Sequence, residues 1–199
     1  NVVVGDNEST NLTVIIVAGN QGQGVGGQGA LMESQGLYAR GGQVKLGGTT
    51  LTNLSVSLFS SDLTELTVPV SLVVTAGTTF AQFDLSLVDD AIQDGGQLVF
   101  VRASTPGFGD GTNTLLVLDN ELHHFGFSTN LVRTSSVPFN ITVTARAIDN
   151  RVITDFYQPL SLSAAGMLGP IGLQSANPVS LTRGGWSGNV TLLNPDTNV

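Results

Sequence analysis

The chain has 199 residues, 41% hydrophobic and 11% charged, which describes a folded protein with ample core material and excludes a disordered one. Its net charge of −8 rests on 15 acidic against 7 basic residues, Lys45 being the single lysine. No basic stripe can therefore track a phosphate backbone, and nucleic acid is excluded as a partner. With no cysteine, disulfides, thiolate metal sites and cysteine nucleophiles are excluded too.

In chain order, nearly every periodic segment has period two and is rich in Val, Thr, Leu, Ile and Ser, with Gly, Asn, Asp and Pro between segments. Strands are expected at 1–4, 11–18, 42–46, 53–60, 71–75, 79–88, 97–105 and 112–118. A second set follows at 124–128, 139–148, 158–164, 179–181 and 185–193. The apolar run Val14 to Ala18 is far shorter than the ~20 residues that span a bilayer, so no transmembrane segment is expected. The window from Ala30 to Ala39 has a helical look but is broken by Gly36 and supports at most one turn. Gly24 to Gly29 fits G-x-G-x-x-G, yet no useful helix follows and residues 44–50 hold no acid for a ribose, so it reads as a flexible loop. The pattern Val2-Val3-Val4-Gly5-Asp6-Asn7-Glu8 echoes Leu115 to Glu121, as though the chain opened on the closing strand of a preceding repeat. Beginning at Asn1 without Met, the chain reads as a mature or excised fragment, so a missing targeting segment says nothing about destination.

Two apolar runs end in acidic clusters, Asp89-Asp90 and Asp119-Asn120-Glu121. If strand 79–88 runs toward one end, 97–105 returns from it and 112–118 comes back to it. Asp89, Asp90 and Asp94 then meet Asp119, Asn120 and Glu121 on one rim. Ca²⁺ takes six to eight oxygens at about 2.3–2.6 Å, and such a rim with backbone carbonyls and water supplies them. The competing account is that Asp and Asn are turn formers that cap their own backbone at strand ends. His123 and His124, the two histidines, are neighbours whose side chains are expected on opposite strand faces, so they should not share a metal and instead pack between domains. Trp186 is expected in a core, with stacking on a sugar as the alternative. No nucleophile elbow or zinc-protease motif is present, and no catalytic residues are expected.

Four segments in order, Ser60 to Pro69, Thr75 to Thr78, Val88 to Gly95 and Leu116 to Glu121, resemble Calx-beta-like repeats of large secreted bacterial proteins. Met32-Glu33-Ser34 looks like that family's early acidic element. The resemblance implies calcium, with Glu33 as an early ligand and Asp89, Asp90, Asp94 and Asp119 as later ones. The chain departs from the calcium-regulated members at Ala91 to Asp94 and at Asn120, where charge is reduced. The remainder, through Val137-Pro138-Phe139 and Gly185-Trp186-Ser187-Gly188, is similar to bacterial immunoglobulin-like modules.

The fold class expected is all-β: two tandem antiparallel β-sandwiches, residues 1–121 Calx-beta-like and residues 122–199 immunoglobulin-like, the second lacking its last strand. The expected function is a non-catalytic extracellular or cell-surface spacer and adhesion segment rigidified by calcium, its partners being other domains of the same long protein or neighbouring copies. Two alternatives stand beside it: an accessory module of a secreted hydrolase that contacts surface glycans, and a self-assembling surface-layer or filament subunit built by strand addition.

Overall fold

In a computed structural model, residues 10–17, 29–128, 134–166 and 169–193 are described. The chain divides into two compact units, Asn1–Asp119 and Asn120–Val199.

Alternation decides the first unit. In β4 (Leu54–Ser60), β7 (Phe80–Leu87) and β8 (Gln97–Ser104), burial alternates along the strand, with Val56, Leu58, Phe83, Leu85, Leu87, Val99, Val101 and Ala103 buried and most of their neighbours exposed. The other strands of this unit are β1 (Thr13–Ile16), β2 (Ala30–Met32), β3 (Leu37–Lys45), β5 (Leu66–Thr67), β6 (Ser71–Val74) and β9 (Gly111–Leu118). They form a sheet of order β1-β3-β7-β5 and another of order β2-β9-β8-β4-β6. Between them lies one core that includes Val44, Val56, Leu66, Leu85, Val99, Val101, Leu115 and Val117. Leu85 is wholly buried. Leu85→Ala is therefore expected to lower unfolding free energy by about 2–5 kcal/mol, read by urea denaturation.

The pairing is antiparallel with one exception among the named strands. β2 runs parallel to β9, with Ala30 opposite Leu116, Leu31 opposite Val117 and Met32 opposite Leu118. Antiparallel sandwiches were expected throughout. The exception arises because the window Ala30 to Ala39 is not helical: it is β2, a single 3₁₀ turn at Glu33–Gln35, and the start of β3. Gly36 closes the turn at φ 60°, its N–H donating to the Glu33 carbonyl at 3.1 Å. The chain thereby leaves one sheet and enters the other, which a two-residue hairpin cannot achieve. The short β5 was also not expected; it borders β7 through Leu66 opposite Leu87.

The second unit has one four-stranded sheet of order β10-β11-β17-β15, from β10 (His124–Ser128), β11 (Phe139–Arg146), β17 (Gly185–Leu192) and β15 (Leu173–Gln174). Beside it are two-stranded pieces, β12 (Pro159–Leu160) with β16 (Val179–Ser180) and β13 (Ala164–Gly166) with β14 (Gly169–Ile171). Its core includes Val143, Ala145, Leu162, Val179, Leu181 and Val190, with Trp186 packed against it. The expected strand 158–164 is broken into β12 and β13. At the break, the Asn177 amide accepts from Leu162 N–H at 3.2 Å and donates to its carbonyl at 3.1 Å, doing the work of a strand partner. The expected strand 1–4, its echo of 115–121, and the glycine run 24–28 lie outside the described residues.

Candidate metal centre

Parallel pairing of β2 with β9 sets Met32 opposite Leu118, so the next residue of each strand, Glu33 and Asp119, leaves its sheet at the same level. Both are buried, 3% and 1% exposed, which a carboxylate tolerates only with compensating partners. The Asp119 carboxylate accepts a hydrogen bond of 2.8 Å from the Gly95 N–H. Gly95 has φ 81°, the left-handed conformation that aims its amide back at β9. This bond joins the 89–95 loop to the end of β9, so that loop and Asp119 share one end of the first unit. Carboxylate oxygens of Glu33, of Asp119 and of Glu121, two residues along the same segment, lie within 4.8 Å of one another.

Sequence reasoning missed Glu65 as a site residue. It is 5% exposed, and its backbone carbonyl accepts from Val88 N–H at 2.9 Å, which holds it beside the start of the acidic loop. Burial pushes its carboxyl up to about 7, and the charges of Asp94, Glu33, Asp62 and Asp90 push the same way. Its neighbour Asp62 behaves oppositely. The Thr64 hydroxyl (2.6 Å) and amide (2.9 Å) donate to the Asp62 carboxylate and hold it below the usual range. Adjacency in sequence could not reveal Glu65, because no other acid of the cluster but Asp62 lies near it in the chain. The available signal was its place in an Asp-x-Thr-Glu turn directly before a buried leucine.

The remaining expected ligands are arranged unevenly. Asp90 is half-buried and caps its own loop, accepting from Ile92 N–H at 2.6 Å, as the turn-forming account requires. Asp89 and Asp94 are exposed. Asn120 lines a cavity of about 200 Å³ with Ile153, Asp155, Phe156, Tyr157 and Gln158. Oxygens bound to one calcium at about 2.4 Å stand no more than about 4.8 Å apart. The Glu33, Asp119 and Glu121 oxygens meet that limit, and the all-oxygen donor set suits a hard cation.

Trp186 is part of the packing of the second unit. Its ring lies over Gly188, where an added Cβ would meet it at 2.3 Å. The histidines depart from expectation: Nδ1 of His123 is 3.0 Å from Nδ1 of His124. Alternation does not separate them, because His123 precedes β10 and only His124 belongs to it. No helix among the described residues is long and apolar enough to cross a membrane, which says nothing about crossing by strands.

No family model and no curated protein matches this chain. Several solved structures resemble it at low identity. The calcium binding domain CBD12 of CALX1.1 is 18% identical with a TM-score of 0.39, over 67% of this chain and 57% of that one. This chain thus covers just over half of that structure's length. CBD12 from CALX1.2 is 15% identical with a TM-score of 0.44, over 85% of this chain and 73% of that one. The E. coli chaperone DraB is 9% identical with a TM-score of 0.38, over 92% and 86%. The likeness extends to β-sandwich architecture.

Proposed function

We propose that this chain is a non-catalytic structural segment of an extracellular or cell-surface protein of the bacterial Calx-beta-like kind, and that the acidic end of its first unit holds a calcium ion. The observation that carries the reading is the meeting of Glu33, Asp119 and Glu121 carboxylate oxygens within 4.8 Å of one another, near a buried Glu65 whose carboxyl is pushed up to about 7 by burial and by the charges of Asp94, Glu33, Asp62 and Asp90. A carboxyl so placed is destabilising when ionised, and a divalent cation relieves that repulsion. Glu33, Asp119 and Glu121 supply side-chain oxygens at a spacing one ion can bridge. The role is mechanical. Neutralising these carboxylates fixes the segment that starts at Asp119, and the partners are neighbouring domains of the same long protein.

The test is calorimetric titration of the chain with Ca²⁺ at pH 8, joined to thermal melts. Saturable heat and a melting temperature that climbs with calcium are expected, since a ligand that prefers the native state stabilises it by mass action. No heat and no shift at millimolar calcium removes the metal. Small-angle scattering with and without calcium tests the mechanical part, and identical profiles remove it.

A further inference from the structure

Apart from the acidic cluster, two ring nitrogens come together at the start of β10. His123 and His124 turn their rings edge to face, with centroids 5.2 Å apart at 89°, and bring the two Nδ1 atoms to 3.0 Å. Their backbones are held. The His123 N–H donates to the Arg146 carbonyl at 2.9 Å, and His124 lies opposite Arg146 in the β10–β11 ladder. The Arg146 guanidinium is committed to Thr144 Oγ1 at 3.1 Å and to the Asn150 carbonyl. His123 is exposed and His124 half-buried, so a solvated ion reaches both rings.

Imidazole nitrogens bind a divalent transition metal at about 2.0–2.1 Å, so two of them in adjacent positions of a square plane stand about 2.9 Å apart, whereas tetrahedral positions need about 3.3 Å. The observed 3.0 Å matches the square-planar spacing. Nitrogen donors in that geometry select Cu²⁺, which also binds more tightly than Ni²⁺ in the general order of divalent metals. We propose that His123 and His124 form a two-imidazole chelate for Cu²⁺ through their Nδ1 atoms, with water completing the plane. Without metal, one ring carries its proton on Nδ1 to make the hydrogen bond. Binding moves that proton to Nε2 of the same ring, a change of tautomer with no change of charge.

The probe is Cu²⁺ itself, added to the full chain in millimolar Ca²⁺ so that the acidic centre does not compete. One copper per chain is expected, with an electron paramagnetic resonance spectrum split by two imidazole nitrogens. His123→Asn and His124→Asn should each weaken copper binding at least tenfold and leave a one-nitrogen pattern, while melting without copper stays unchanged. A smaller loss in either variant, or a wild-type spectrum showing one nitrogen or none, overturns the proposal. The wild-type nitrogen count needs no variant, so it decides the matter even if a substituted chain folds poorly.

Discussion

Replacing Glu65 with glutamine will stabilise the calcium-free protein at pH 8, by about 1–3 kcal/mol, although it removes a charged and buried side chain. The folded carboxyl titrates at about 7 against an ordinary 4.5. A group raised in the folded state favours folding while protonated, so its contribution is complete below pH 4.5 and is lost as pH rises through 7. At about 1.4 kcal/mol per unit, the whole loss is up to about 3 kcal/mol. Glutamine stays neutral across this range, so the variant should lack the decline between pH 5 and pH 8. Contact with Val88 N–H runs through the Glu65 carbonyl and survives the change. His123 and His124 are common to both proteins and cancel in the difference. Urea denaturation of both at pH 5 and pH 8 without calcium is the measurement. Equal pH dependence in the two proteins would show that Glu65 is not the raised group. Added calcium at pH 8 should then stabilise the wild type more than Glu65→Gln, because the variant has lost the repulsion that binding relieves.

Asp119 separates scaffold from ligand. Its carboxylate anchors the Gly95 N–H in a buried bond of 2.8 Å. Asp119→Ala leaves that donor unpaired and should cost about 1–3 kcal/mol even without calcium. Asp119→Asn keeps an amide oxygen as acceptor, so calcium-free stability should stay within about 1 kcal/mol of wild type. Calcium binding should weaken at least tenfold in both, since the charge is gone in each. Calcium-dependent melting of the three proteins distinguishes the effects. An Asp119→Asn protein whose melting responds to calcium as the wild type does would remove Asp119 from the site and with it the proposed centre.

Much of the fold was legible because alternation is a local signal. The buried positions of β4, β7 and β8 follow from the apolar and polar order of residues 54–60, 80–87 and 97–104 alone. The two-sided burial of β2 carries no such period: Ala30 and Leu31 are both buried in a three-residue strand. Its partner is β9, far along the chain, and only the tertiary pairing identifies it. The break between β12 and β13 was hidden for a similar reason, as it depends on one amide, Asn177, contributed from another segment.

The candidate site divides along the same line. By itself the sequence determined an acidic all-β chain with carboxylates where strands stop, because composition and short-range periodicity are local properties. Tertiary structure alone decided which acids share one electrostatic environment. Glu33, Glu65, Asp94 and Asp119 come from four separate stretches of the chain, and Coulomb interaction depends on distance through the fold, not along the chain. It also decided that His123 and His124 converge, because the strand that would have turned them apart begins only at the second of the two.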